Sequence, residues 1–140
     1  MRVLAIDLGS KRIGVAVSDE LGITARPLET IKRSGIARDL DRVKFLVNDL
    51  AADVIVVGLP LRMDGSVGSA ARGVMNFVEK LKRHLADIDV LTQDERLTSY
   101  EADTILAERG YNRAERRAKS DEVAAMIILQ DFLAGTKKEI

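Results

Sequence analysis

The chain opens with two short apolar runs that a polar turn separates. The first run, over residues 2–7, is apolar on both of its alternating faces, which is typical of a central strand covered on both sides. The second run covers residues 13–18, and a less regular third strand is predicted within residues 23–31. Pro27 indicates that this third strand is either an edge strand or a short one, because proline cannot donate a ladder hydrogen bond. The pattern therefore predicts a three-strand meander.

Beyond the third strand, the chain alternates between helical spacing of apolar residues and short buried runs. Helices are predicted over 37–50 and 70–85, and strands over 54–57 and 89–94. Because helices connect them, these two strands should run parallel to the first strand. The pattern predicts one α/β domain over residues 1–140. Its five-stranded mixed sheet, a three-strand meander followed by two parallel strands, carries helices on both faces.

The C-terminal third of the chain is predicted to contain two helices. Residues 98–101 have the form of a capping box, so the first of these helices should begin there and end near Gly110. A polar and basic segment follows over residues 111–119. Ser120 or Asp121 is predicted to cap the last helix.

Composition and charge narrow the possible chemistry. The 140 residues include no cysteine and one histidine, His84, which argues against disulfides, thiolate metal sites and a Ser-His-Asp triad. No apolar run approaches the roughly 20 residues of a membrane span, so a cytoplasmic protein without a membrane partner is expected. Its 22 basic and 22 acidic residues give zero formal net charge. Any binding of nucleic acid must therefore depend on where the charges are placed.

Three acids stand at predicted element ends: Asp7 after the first strand, Glu95 after the fifth, and Asp121 at the last helix. Open α/β sheets bind ligands beyond the carboxyl ends of their parallel strands. Clustered carboxylates raise one another's pKa, and a divalent cation with a preference for oxygen ligands relieves that conflict. Two such ions can drive phosphodiester hydrolysis without a histidine. The acids therefore form a candidate catalytic site for Mg²⁺ or Mn²⁺.

Two of these assignments have alternatives that the residues themselves leave open. Asp121 could serve only as a helix cap, since acids are common at helix starts. Asp94 competes with Glu95 for the second ligand position, because successive residues of a strand point to opposite faces.

Four sequence motifs resemble those of the YqgF/RuvX family. They are DLGSKRIGVAVSD at 7–19, GLPLRMDGS at 58–66, DERLTS at 94–99 and DEVAA at 121–125, with Ile128-Leu129-Gln130 behind the last. Together they cover nearly the whole chain in order, and this combination is specific although each motif alone is weak. The resemblance implies the RNase H-like fold, with Asp7, Glu95 and Asp121 as the metal-binding catalytic acids.

The resemblance also implies a function. The family was named as Holliday-junction resolvases by similarity to RuvC, and its members are mostly described as nucleases that mature the 5′ end of pre-16S ribosomal RNA. A metal-dependent nuclease acting on structured RNA in ribosome biogenesis is therefore expected, working as a monomer or weak homodimer.

Basic and aromatic residues around these motifs are the expected substrate contacts, with ordinary solvated surface as the competing interpretation. Two lie in the turn after Asp7, one in a loop at 62–69 that could close over substrate, one beside Glu95, and five in the basic segment. They are Lys11, Arg12, Arg62, Arg96, Tyr111, Arg113, Arg116, Arg117 and Lys119.

Three other functions compete with an RNA nuclease. A resolvase would use the same acids on branched DNA and would normally act as a two-fold dimer. A ribosome-assembly factor could keep the fold and bind RNA without catalysis. The segment Ile6–Ser10 also resembles the first phosphate motif of actin-like sugar kinases and ATPases, but those proteins need two such domains around the nucleotide.

Overall fold

The computed structural model describes residues 1–95 and 98–138. Within them, five strands form one sheet and four helices cover it. The strands are β1 (Val3–Leu8), β2 (Arg12–Ser18), β3 (Ala25–Lys32), β4 (Val54–Leu59) and β5 (Asp89–Asp94). The helices are α1 (Ile36–Leu50), α2 (Ser69–His84), α3 (Thr98–Glu108) and α4 (Arg113–Lys138).

The sheet has the strand order β3-β2-β1-β4-β5. Strand β2 pairs antiparallel with both β1 and β3, whereas β4 pairs parallel with both β1 and β5. This confirms the predicted mixed sheet, with a meander followed by two parallel strands. Pro27 lies on the edge strand β3, as expected, and the β2–β3 register shifts between Val15 and Ala16, close to the proline's partner.

Two apolar layers cover the two faces of the sheet. On one face, Leu4 and Ile6 of β1 belong to a buried cluster with α1 and α2. On the other face, Val3 and Ala5 belong to a second cluster with α3 and α4. The alternation of β1 between two fully buried faces follows from the period of two in a strand. Because β1, β4 and β5 are parallel, their carboxyl ends lie at the same edge of the sheet.

The start of the last helix corrects the prediction from sequence. Helix α4 begins at Arg113, not at Ser120 or Asp121. Asn112 and Glu115 cap it reciprocally, since the Asn112 side chain accepts from the Glu115 N–H at 2.9 Å and the Glu115 side chain accepts from the Asn112 N–H at 3.0 Å. The basic segment is therefore mostly helical, and Asp121 lies about two turns inside the helix.

Within residues 1–95 and 98–138, no helix has the length and the apolar character that crossing a membrane requires.

Candidate active site

Asp7 lies between two strand residues that have no side chain. On one side it pairs with Gly14 of β2. On the other side β4 runs parallel, with Ile6 opposite Val57, which brings the next residue, Gly58, level with Asp7. The Asp7 carboxyl group is therefore not crowded by either neighbouring strand, and other parts of the chain can approach it.

Gly14 allows helix α4 to approach the sheet. A Cβ atom on Gly14 would collide with the backbone carbonyl of Asp121 and lie 3.0 Å from the Asp121 Cβ. The helix backbone thus rests directly on β2 at the position where β2 pairs with Asp7. This close approach places Asp121 beside Asp7, and it shows that Asp121 is positioned by packing and not by a capping role.

Gly58 has the matching role for Glu95. A Cβ atom on Gly58 would lie 2.7 Å from Cδ of Glu95 and 2.5 Å from Cδ1 of Ile128. The backbone N–H of Glu95 donates to the Leu59 carbonyl at 3.2 Å, which continues the β4–β5 pairing beyond the end of β5. The Glu95 carboxyl group can therefore lie against Gly58 and contact Asp7, whereas Asp94 is exposed at the end of β5.

Asp7 and Glu95 form a hydrogen-bonded pair of acids. Burial raises the pKa of Asp7 to about 6; the hydrogen bond from Glu95 opposes this shift and the charge of Asp121 adds to it. Burial raises the pKa of Glu95 to about 9, helped by the charge of Asp7, by their hydrogen bond and by the charge of Asp94. Between these two values the pair holds one proton, which Glu95 donates to the Asp7 carboxylate.

Asp121 is held by a cation from the opposite end of the sequence. Nε of Arg12 donates to Oδ2 of Asp121 at 2.7 Å. The guanidinium group is half exposed, so solvent and substrate can reach it. Within residues 1–95 and 98–138, no three acids already form a group that could hold one metal ion. Two of the predicted ligands are thus in contact, and the third lies beside them, paired with Arg12.

A cleft of about 460 Å³ joins the acids to the basic part of α4. Asp7 and Asp121 line it together with the arginines of the first two turns of the helix, Arg113, Arg116 and Arg117. Arg116 also donates from Nε to Oδ1 of Asp103 in α3 at 2.9 Å. The helical start of α4 therefore places three predicted substrate contacts at the entrance to the acids.

The other predicted contacts that the structure describes lie outside this cleft. Lys11 is exposed in the β1–β2 turn, and Lys119 lies over the half-buried Tyr111 ring at 5.5 Å. Arg62 lies against the backbone of Gly68, since a Cβ there would be 2.8 Å from its Nε. Arg96 lies outside the described residues.

The loop that was predicted to close over substrate has its own hydrogen bonds. The Arg62 N–H donates to the Ser66 carbonyl at 3.0 Å, and the Gly65 N–H donates to the Arg62 carbonyl at 2.7 Å. Asp64 accepts from the hydroxyl group of Ser66 at 2.6 Å. Residues 62–66 thus form a compact turn.

Sequence reasoning overlooked the two glycines as parts of the site. Gly14 and Gly58 both interrupt apolar strands, and a glycine inside a strand often marks a close approach of another backbone or a ligand. That signal was present in the sequence, although the identity of the approaching group was not.

Comparisons with known proteins agree with this architecture. The family model described as "RuvX: Holliday junction resolvase" matches residues 1–135. A protein of Thermoanaerobacter pseudethanolicus named "Putative pre-16S rRNA nuclease" is 42% identical over 140 residues, covering 99% of this chain and 100% of that protein.

Two solved structures resemble the chain in fold. T. thermophilus RuvC in complex with a Holliday junction substrate aligns with a TM-score of 0.58 and 17% identity, over 97% of this chain and 96% of that chain. Fowlpox virus resolvase in complex with Holliday junction DNA aligns with a TM-score of 0.59 and 11% identity, over 97% and 99%. These likenesses confirm the RNase H-like fold. The family match and the full-length relative, taken together, show that the chain belongs to the RuvX family.

Proposed function

We propose that this chain is a single-domain, metal-dependent nuclease that hydrolyses phosphodiester bonds in precursor 16S ribosomal RNA. One observation carries the proposal: Asp7, which is hydrogen-bonded to Glu95, lines one cleft with Asp121 and three arginines of α4. Acids can gather metal ions that activate water for phosphodiester hydrolysis, and arginines can bind the phosphates of the substrate. The name of the full-length relative supports the RNA substrate, and such a substrate is cytoplasmic.

The donor set suits a hard divalent cation. Asp7, Glu95 and Asp121 offer carboxylate oxygens, and Mg²⁺ or Mn²⁺ prefers such ligands. Burial is the main cause of the raised pKa values of Asp7 and Glu95, and the charges of neighbouring acids add to it, so a bound cation would favour the ionised forms. When bound, a divalent ion would supply Lewis-acid stabilisation and lower the pKa of a water molecule.

The chain's own residues would have two tasks before cleavage. Glu95 must lose the proton that it shares with Asp7, so that both groups can act as carboxylate ligands. Asp121 would have to leave its ion pair with Arg12 before its carboxylate could serve as a metal ligand. The released guanidinium of Arg12 can then bind a phosphate oxygen of the substrate, with Arg113 and Arg117 contacting the neighbouring backbone.

Resolution of branched DNA is the second candidate function. The family's description and both fold neighbours concern Holliday junctions. Such an enzyme must cut two strands symmetrically, so it would act as a two-fold dimer.

The test is cleavage of a labelled pre-16S leader RNA and a four-way DNA junction in parallel, with Mg²⁺, Mn²⁺ or EDTA. The variants are Asp7→Asn, Glu95→Gln and Asp121→Asn, with Asp49→Asn as the control because Asp49 is exposed on α1. RNA cleavage that needs the metal and disappears in the three site variants supports the proposal. Cleavage of the junction alone would favour the resolvase, and metal binding without any cleavage would favour the assembly factor.

A further inference from the structure

A second cavity, of about 360 Å³, lies across the sheet from the acids, between the β1–β2 turn and helix α2. Its walls are mostly apolar, with Pro60 and Ile36 among them, and its polar groups include Asn76, Arg33 and Lys80. Apolar walls with a few polar groups are typical of sites for small molecules, and this volume is near the lower end of their range. The cavity is therefore large enough for one nucleobase.

Gly73 keeps one side of this cavity open. It lies in the middle of α2, where glycine costs roughly 0.5–1 kcal/mol relative to alanine. Packing does not require a glycine here, since a Cβ atom at this position would meet no atom within 4 Å. The open space beside Gly73 belongs to the cavity. The absence of a side chain at Gly73 thus enlarges the space that a ligand could enter.

Arg33 supplies a fixed planar surface at the cavity. Its Nε donates to Oδ2 of the buried Asp39 at 3.0 Å, and its Nη1 donates to the Gly9 carbonyl at 2.9 Å. Its guanidinium also lies 6.0 Å from the centre of the Phe77 ring. Bases in single-stranded RNA commonly stack on guanidinium planes. Because Arg33 is already held in place, little side-chain entropy would be lost on stacking.

The charge at the cavity favours an anionic ligand. Lys80 lines it, the charge of Arg33 is balanced by Asp39, and no aspartate or glutamate is among its lining residues within the described part of the chain. Helix α2 also starts at its edge with Ser69, and Gly68 provides no side-chain cap for the first turn. The positive end of the helix dipole adds to the charge of Lys80. A nucleotide combines an apolar, stackable base with a negative phosphate, and so it matches both properties.

The cavity and the acids share the β1–β2 turn as a wall. Leu8 lines the cavity, and the preceding residue, Asp7, lines the cleft on the other face. The turn between them is fixed by the Gly9 N–H, which donates to the Arg12 carbonyl at 2.8 Å. A nucleic-acid strand bound at the acids could therefore pass over this turn and reach the cavity.

We propose that this cavity binds the base of one unpaired nucleotide of the RNA substrate, close to the scissile phosphate. The base lies against Arg33 and beside Gly73, with its phosphate near Lys80. The inference rests on the proposed function for its ligand, and it adds a requirement that the acids alone do not impose: the substrate must be single-stranded near the cut.

The test measures binding without cleavage, using the full chain in EDTA and fluorescence anisotropy. The probes are a labelled single-stranded oligoribonucleotide and copies with an abasic site at each position in turn. Gly73→Leu fills the cavity, and Gly135→Leu is the matched control, because Gly135 lies in α4 and a Cβ there also meets nothing within 4 Å. Both leucines favour the helical conformation, so both variants should fold.

The expected result is a position-specific loss. One abasic position should weaken binding by the wild-type chain about tenfold, the range expected for one stacked base. Gly73→Leu should weaken binding of the intact RNA by a similar factor and abolish the effect of that abasic position. Gly135→Leu should behave as wild type. Such coupling between one nucleotide and one residue indicates direct contact.

Three results would overturn the inference: no measurable binding of single-stranded RNA, equal affinity for intact RNA with Gly73→Leu and Gly135→Leu, or an unchanged abasic effect in Gly73→Leu.

Failure of the nuclease proposal would give a different result. The chain would then show the Gly73-dependent abasic effect in EDTA but cut no RNA with Mg²⁺ or Mn²⁺. Tighter binding of the matching oligodeoxyribonucleotide would assign the cavity to DNA and would also contradict the inference.

Discussion

The backbone carbonyl of Asp121 lies where the side chain of Gly14 would begin. Because Gly14 pairs with Asp7 across β1 and β2, this contact fixes how close the acid on the helix comes to the acid on the sheet. The distance between the two carboxylates thus depends on the absence of a Cβ atom at Gly14.

Gly14→Ala should therefore impair both stability and activity. The new methyl group must push α4 away from β2, and overpacking of this kind costs typically 1–3 kcal/mol in the free energy of unfolding. A displacement of about 1 Å at a catalytic group can lower the cleavage rate by about a hundredfold. Urea unfolding and initial cleavage rates measure the two effects.

Gly135→Ala is the control for this substitution. Gly135 lies in α4, and an added Cβ there meets nothing within 4 Å. It should keep the wild-type cleavage rate and gain up to about 1 kcal/mol in stability from helix propensity. Wild-type cleavage by Gly14→Ala would show that the approach of α4 does not set the geometry of the acids.

The strand pattern was readable from sequence, whereas the start of α4 was not. Both alternating faces of β1 are buried, and this leaves a short continuous apolar run that ends at Asp7. The first two turns of α4 are largely exposed, so no apolar period marked them. Only the cap formed by Asn112 and Glu115 indicated the helix start, and it was overlooked in a segment rich in charge.

The pairing of Arg12 with Asp121 shows a second limit of prediction from the sequence. The two residues are 109 positions apart in sequence. Their types suggested phosphate binding for one and metal binding for the other, but nothing local indicates that they contact each other. Such a pair arises only when α4 docks on the sheet, so it becomes visible only in three dimensions.

The Asp7–Glu95 pair should make the metal-free chain less stable as the pH rises. Burial raises the pKa of Asp7 to about 6 and that of Glu95 to about 9, above the ordinary value of about 4. The folded chain thus binds more protons than the unfolded chain, and the free energy of unfolding falls with pH. The stabilisation is complete below about pH 4 and is lost as the pH rises towards 9.

Urea unfolding in EDTA between pH 6 and pH 9 measures this effect. Burial keeps the pKa of Glu95 raised in Asp7→Asn, but the substitution removes the Asp7 charge that adds to this shift and the titration of Asp7 itself. It should therefore make the profile less steep and be the more stable protein at pH 9. Asp49→Asn, exposed on α1, should follow the wild-type profile. Parallel profiles for wild type and Asp7→Asn would contradict a coupled acid pair.

Arg12→Gln should change metal binding and RNA binding in opposite directions. Arg12 pairs with Asp121 at 2.7 Å and so competes with a metal ion for that carboxylate. A half-exposed ion pair contributes up to about 1 kcal/mol, so its loss should tighten Mn²⁺ binding about two- to fivefold. RNA affinity should fall, because a phosphate contact is lost.

Calorimetry with Mn²⁺ and anisotropy with labelled RNA in EDTA separate the two effects of Arg12→Gln. Arg42→Gln provides the control, since Arg42 pairs with Glu29 at 2.7 Å away from the acids. It should leave both affinities unchanged. Weaker Mn²⁺ binding by Arg12→Gln would mean that Arg12 supports the metal site and does not compete with it.

Substitution of Arg116 and of Arg117 in α4 should have different effects on the stability of the fold. Arg117 lines the cleft and is exposed, so Arg117→Gln should weaken RNA binding without destabilising the fold. Arg116 also bonds Asp103 at 2.9 Å and the Tyr111 carbonyl at 3.0 Å, which ties α4 to α3. Arg116→Gln should therefore lower the free energy of unfolding by about 1 kcal/mol as well.

The salt dependence of RNA binding identifies which arginine contacts phosphate. Each lost phosphate contact should reduce the slope of log affinity against log salt by about 0.7 for a single strand. Arg83→Gln, at an exposed position in the last turn of α2, should keep the wild-type slope. If Arg117→Gln kept that slope too, Arg117 would not contact an RNA phosphate. The RNA would then have to reach Asp7 from another side.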